Sequence, residues 1–357
     1  MARVDAFLEL VVKQGASDLH LMSGEPPWLR IYGELMPVKY RQLSVTEMTD
    51  LLNEIMPPAA KEDFARRSGL DFAHHVPELS RFRVNVFRHF GGVGAVFRVI
   101  PSEIPTLDEL KMPTVLKSFA NQKNGLMLVV GPTGSGKSTT LASIVNEINV
   151  ARKGHIITIE DPVEFVHRRQ KCLISQKEVG HHAKSFAQAL RGALREDPNV
   201  ILVGELRDLE TISLAVTAAE TGIFILGTLH TNGAAETVDR ITNVFPGAEQ
   251  GRVRSMLSTS LRGIVSQQLL KSADGKGRVA ATEILINNTA ISNMIREGKT
   301  KHLTNSIQTG ALVGMQTMDQ SLQKLVDAKL ITGTEAHLRA TNKATFERYR
   351  QQEEELV

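Results

Sequence analysis

Leu126-Met127-Leu128-Val129-Val130-Gly131-Pro132-Thr133-Gly134-Ser135-Gly136-Lys137-Ser138 decides the fold. Its five apolar residues read as a buried strand, and the eight that follow match G-x-x-x-x-G-K-[ST]. An apolar-periodic run of Leu141, Ile144, Val145 and Ile148 opens a helix directly behind them. A turn placed between strand and helix aims backbone N–H groups into the loop, and the helix N-terminus adds its positive dipole end. Such a turn cradles phosphate. Gly131, Pro132, Thr133, Gly134, Ser135, Gly136, Lys137, Ser138 and Thr139 are therefore the expected nucleotide-binding residues. Lys137 would reach the β- and γ-phosphates, and Ser138 would place its hydroxyl on Mg²⁺.

Working outward, further apolar strands read at 156–159, 200–203 and 223–226, alternating with helical stretches at 138–150, 184–196, 208–221 and 234–243. Continuous apolar strands between helices indicate a buried, mainly parallel sheet, and so an α/β domain. A strand at 279–286 completes it, and 287–357 forms a helical C-terminal subdomain. Residues 1–100 read differently. A short helix ends at Gly15, strands read at 18–21, 28–31, 81–87 and 94–100, and a helix runs from the N-cap Ser44 to Ile55 before Pro57-Pro58. This is an α+β domain. Pro101, Pro105 and Pro113 punctuate an expected linker at 101–113, the hinge region, and the second domain spans 114–357.

The chain has 357 residues, enough for two domains. Its net charge of +3 gives no bulk field for nucleic acid, so no nucleic-acid partner is expected. Cys172 is the only cysteine, which excludes an internal disulfide and a cysteine-based zinc site. The N-terminus lacks the apolar core of a signal peptide, and no run approaches the length of a membrane span. The expectation is a cytoplasmic protein without direct membrane insertion.

Hydrolysis needs metal ligands and a group that orients water, and open parallel sheets gather these at strand C-terminal ends. The strand at 156–159 ends in Glu160-Asp161-Pro162-Val163-Glu164, three carboxylates in five residues. Glu160 and Asp161 are the expected Mg²⁺ ligands. The strand at 200–203 ends in Gly204-Glu205, whereas a common Walker B carries an Asp at the first of these positions. The acidic cluster would then supply the missing metal carboxylate. Glu164 or Glu205 positions the attacking water, and the residues leave both open. His230, after the strand at 223–226, is placed to donate a hydrogen bond to a γ-phosphate.

Four motifs in this order resemble the secretion-type ATPases, which drive type II and type IV secretion and type IV pili. They are the loop 131–138, the acidic box 159–165, Gly204-Glu205-Leu206-Arg207-Asp208, and Gly227-Thr228-Leu229-His230-Thr231-Asn232. Ala16-Ser17-Asp18-Leu19-His20-Leu21, with Arg30-Ile31-Tyr32-Gly33, is similar to the family's PAS-like N-terminal domain. Ser306-Ile307-Gln308-Thr309-Gly310 and Gly314-Met315-Gln316-Thr317-Met318-Asp319-Gln320 resemble the PilT-type pilus retraction branch. The extension and type II secretion branches usually carry a four-cysteine zinc module, which one cysteine cannot build. One departure stands in the C-terminal motif, where Ala290-Ile291-Ser292 replaces the branch's Ala-Ile-Arg.

The resemblance implies a PAS-like α+β domain followed by a RecA-like P-loop ATPase domain. It implies a homohexameric ring that hydrolyses ATP with Mg²⁺ to power pilus retraction and twitching motility. Lys137, Glu164, Glu205 and His230 would be catalytic. Arginines of the N-terminal domain would complete a neighbour's site, with Arg81, Arg83 and Arg98 as candidates. Arg81 and Arg83 share one strand face and Arg88 lies on the other. The implied partners are further copies of the chain, an inner-membrane pilus platform protein and a paralogous pilus ATPase, at the cytoplasmic face of the inner membrane. The alternatives are an accessory or paralogous secretion or pilus ATPase, and an ATP-binding ring without turnover.

Overall fold

The computed structural model describes residues 2–31, 33–66, 69–100, 103–275, 277–347 and 349. The chain divides into two units, 1–103 and 104–357.

The first unit runs α1 (Asp5–Lys13), β1 (Asp18–Met22), β2 (Trp28–Ile31), β3 (Glu34–Pro37), α2 (Val45–Ile55), α3 (Pro58–Arg66), β4 (Gly69–Val76), β5 (Ser80–His89) and β6 (Gly92–Ile100). Its six strands form an antiparallel sheet of order β3-β2-β1-β6-β5-β4. Along β5, Phe82, Val84 and Val86 are fully buried while Arg81, Arg83 and Asn85 alternate on the other face. The buried face packs with Leu8 and Val11 of α1 and Met48 and Leu52 of α2. Ser44 caps α2 in a reciprocal capping box with Glu47. The sequence pattern does not announce β3, α3 or β4. β4 carries Asp71, His74 and His75, which disguise its alternation.

The second unit runs β7 (Gly125–Val130), α4 (Lys137–Ala151), β8 (Gly154–Glu160), β9 (Cys172–Glu178), α5 (Phe186–Ala193), β10 (Val200–Val203), α6 (Leu209–Glu220), β11 (Phe224–Leu229), α7 (Ala234–Asn243), α8 (Gly247–Ser260), β12 (Leu261–Lys271), β13 (Arg278–Ile286), α9 (Thr289–Arg296), α10 (Leu303–Thr309), α11 (Met318–Asp327) and α12 (Gly333–Arg339). The sheet order is β13-β12-β7-β11-β10-β8-β9. Every pairing is parallel except β12 with β13. Leu126, Leu128 and Val130 of β7 face α6, α7 and α8, and Met127 and Val129 face α4. β7, β10 and β11 are buried at every position, as their unbroken apolar runs require. β9 and β12 were not expected from sequence, because polar residues interrupt both.

The linker is expected at 101–113. Residues 104–113 belong to the second unit, where Leu107 and Met112 are buried beside α4 residues. The Ser143 hydroxyl of α4 donates to the Pro105 carbonyl at 2.6 Å. Pro101 lies outside the described residues.

His20 on β1 presents a buried Nε2 with no hydrogen-bond partner among the described residues. Burial lowers its pKa from the ordinary 6.5; Asp18 opposes this, and Arg30 and Arg98 add to it. A depressed histidine pKa means that protonation favours the unfolded chain. Its stabilising contribution is full above pH 6.5 and is lost as the pH falls below that value. Urea unfolding of the whole chain at pH 7.5 and pH 5 should show a steeper acid loss than in the His20→Leu variant. Equal losses would contradict the assignment.

Candidate nucleotide site

The phosphate loop is built on glycines that no other residue replaces easily. Gly131, Gly134 and Gly136 have φ of 143°, 78° and 86°. A Cβ on Gly131 would lie 2.2 Å from the Gln267 carbonyl oxygen. Pro132, Thr133 and Gly134 are exposed, Ser138 and Thr139 are half-buried, and Ser135 is buried with an Oγ that has no partner among the described residues. The Lys137 ammonium folds over the loop and donates to the carbonyls of Gly131 at 2.8 Å and Pro132 at 3.0 Å. Burial lowers its pKa, and the negative charges of Glu205 and Glu164 act in the opposite direction.

Glu160 ends β8. Its carboxylate accepts from Thr158 Oγ1 at 2.7 Å and from the Glu164 N–H at 3.4 Å. Burial nevertheless pushes its pKa up to about 7. Ser138, Leu141, Glu160, His167, Gly204 and Thr228 line one small cavity. Burial holds His167 neutral, with its pKa down at about 4. Asp161 is exposed and does not line this cavity. The structure thus brings two of the three expected Mg²⁺ ligands together and leaves Asp161 aside. Among the described residues, no three His, Cys, Asp or Glu side chains form a metal cage. One hydroxyl and one carboxylate suit Mg²⁺, a hard cation that keeps several waters and takes its other ligands from phosphates.

The exposed Glu164 is set by its neighbours. The Val163 N–H donates to the Glu178 carboxylate at 3.1 Å. Gln176 donates to the Phe165 carbonyl and accepts from the His167 N–H, both at 2.8 Å. Asn149 of α4 secures the next turn, accepting from the N–H groups of Gln170 and Cys172 and donating to the Arg168 carbonyl. Sequence reading missed these braces. The only trace they leave is polar residues inside elements that otherwise bury apolar ones.

Gly204 explains the atypical Walker B. A Cβ there would stand 3.1 Å from the Ile159 carbonyl oxygen and 3.3 Å from Glu160 Cα. The Gly204 N–H donates to that carbonyl at 2.7 Å. β10 approaches the acidic box so closely that a side chain here would need its neighbours to give by a few tenths of an ångström. Glu205 is held from two sides, by Arg207 at 2.7 Å and by His230 Nε2 at 3.4 Å. His230 thus sits on the carboxylate. Asp208 caps α6, accepting from the Thr211 N–H at 2.8 Å.

The candidate arginines lie in the first unit. Arg83 and Arg98 are register partners on β5 and β6, and Arg81 shares the face of Arg83. Arg98 pairs with the buried Asp18 at 2.8 Å, and Arg83 lies 3.6 Å from the exposed Asp71. Arg88 is on the opposite face, its guanidinium over the Phe64 ring.

The family model for type II/IV secretion system proteins matches residues 1–356. The chain belongs to that family. It is 50% identical over 337 residues to the type IV pilus retraction ATPase PilT of Pseudomonas aeruginosa, covering 94% of this chain and 98% of that one. It is 51% identical over 316 residues to a twitching motility protein of Neisseria gonorrhoeae, covering 88% and 84%. A crystal structure of the pilus retraction motor PilT with bound ADP superposes with a TM-score of 0.89 at 44% identity, covering 98% of this chain and 99% of that one. The family resemblance, and the α/β class with an N-terminal domain and a RecA-like domain, are borne out along the whole chain.

Restoring the common Walker B aspartate should damage this site, because its side chain would crowd the Ile159 carbonyl and the Glu160 backbone. Gly204→Asp should lower ATP turnover by roughly a hundred-fold, the scale of an ångström-level misplacement of reacting groups. Wild-type turnover in this variant would remove the steric explanation for Gly204.

Proposed function

We propose that this chain is a homohexameric, Mg²⁺-dependent ATPase that powers type IV pilus retraction and twitching motility. The observation that carries the reading is the cavity where Ser138, Glu160, Gly204 and Thr228 meet beside a glycine-built phosphate loop. The loop's N–H groups and the α4 N-terminus bind phosphate oxygens, and Lys137 turns from its loop carbonyls to them. Ser138 and Glu160 would hold Mg²⁺, which would supply charge neutralisation on the phosphates. Glu205, oriented by Arg207 and His230, positions the attacking water, and the exposed Glu164 stands beside it as a second carboxylate. Arg83 is the favoured arginine completing a neighbouring subunit's site. Arg98 is committed to Asp18, and Arg81 follows Arg83 on the same face.

The motor works at the cytoplasmic face of the inner membrane through a platform protein, alongside a paralogous pilus ATPase. Among the described residues no helix is long and apolar enough to cross a membrane. One observation favours a second reading, a divergent paralog with an accessory role. Ser292 stands where the retraction branch has arginine, and its hydroxyl is turned inward to the Ser258 carbonyl at 2.6 Å.

The test is Glu205→Gln. Turnover should fall by about a hundred-fold, the scale of general acid–base and water-positioning effects, while ADP binding is retained. Cells carrying the variant should show excess surface pili and no twitching. Bald cells would mean assembly instead of retraction, and unchanged cells would favour the accessory role.

A further inference from the structure

β12 was not expected from sequence, and its central polar residue is spent on the phosphate loop. Gln267 is buried, 2% exposed, although it ends in an amide. A buried amide is costly unless each end finds a partner. Here both ends do. Nε2 donates to the Ser135 carbonyl at 2.6 Å, and Oε1 accepts from the Thr140 hydroxyl at 2.8 Å. Ser135 is inside the loop and Thr140 is in the first turn of α4, so one side chain ties the loop to its helix.

The backbone adds to the clamp. The Gln267 carbonyl is the group that a Cβ on Gly131 would strike, and the Gln267 amide is 2.8 Å from where a Cβ on Gly136 would be. The first and third loop glycines thus make room for Gln267 itself. The preceding residue acts on the other sheet face, where Ser266 Oγ accepts from the Gly233 N–H at 3.0 Å, just past the His230 segment.

We propose that Gln267 is a positioning residue for phosphate recognition. By fixing the Ser135 peptide and Thr140 together, it holds the loop N–H groups in their anion-binding arrangement before nucleotide arrives. It contacts no reacting atom. The cost of ordering a glycine-rich loop is then met on folding, which raises affinity for the β-phosphate without adding a contact to it.

The inference rests on the assignment of 131–138 as the phosphate loop, and the experiment separates the two. ADP and AMP affinities are measured by calorimetry on the full chain, with ATP turnover kinetics alongside. Wild type should prefer ADP over AMP; if it does not, the loop assignment itself fails. Gln267→Met keeps the shape and removes both hydrogen bonds. It should bind ADP about ten-fold more weakly and raise the KM for ATP about ten-fold, with AMP affinity and kcat changed less than about three-fold. Thr140→Val should give a smaller loss of the same kind, and Thr140→Ser, which keeps the hydroxyl, should restore the preference. Unchanged preference for ADP over AMP in both Gln267→Met and Thr140→Val would overturn the proposal. So would an equal loss for both nucleotides, which is what a merely loosened fold produces. Should Gln267→Met fail to fold, the two Thr140 variants decide the matter on the same readout.

Discussion

The parallel alignment of four buried strands is the constraint on which the rest depends. β7, β8, β10 and β11 run side by side in register, so their C-terminal ends open on one edge. The phosphate loop, acidic box, Gly204-Glu205 segment and His230 segment each follow one of these strands. Residues more than ninety positions apart in the chain meet because of that alignment alone. Antiparallel pairing at any of the three junctions would send one loop to the opposite edge. The sandwiching helices enforce it, since parallel neighbours need crossover connections that cover both faces.

Close approach of backbone to backbone is the second requirement, and glycine meets it at two places. Gly131 lets β7 pass against β12, and Gly204 lets β10 pass against the end of β8. At the second place the gain in proximity removes a carboxylate. Glu160 on the neighbouring strand then provides an oxygen donor beside Ser138.

Much of this was legible in the sequence. Unbroken apolar runs disclosed the strands that are buried on both faces, and α2 and α7 lie where caps and periodicity placed them. The loop glycines, Lys137, Glu160, Glu164, Glu205 and His230 all reach the expected strand edge. What escaped was structure whose pattern is mixed. β9 carries Ser175, Gln176, Lys177 and Glu178, and β12 carries Ser266, Gln267 and Gln268, so neither reads as apolar or as cleanly alternating. The reason is physical. Gln176, Glu178, Ser266 and Gln267 bond loop backbone, and loop backbone within a core needs polar partners. Residues that brace a site therefore obscure the strand that bears them. Asp161, an expected Mg²⁺ ligand, is exposed and does not line the cavity that Ser138 and Glu160 share.

The carboxylates of the site do not share one environment, and the roles proposed above follow that difference. Glu160 is desolvated, and burial pushes its pKa up to about 7. Glu205 already has cationic company in Arg207, with His230 on its other oxygen, and its position is fixed from both sides. Glu164 is exposed and anchored only through its backbone and flanking residues. A desolvated carboxylate suits a metal, a clamped one suits orienting water, and an exposed one is the most easily repositioned. Identical side chains acquire distinct roles from their surroundings. The proposed role of Glu205 in orienting water, in preference to Glu164, rests on this contrast, which spacing along the chain does not reveal.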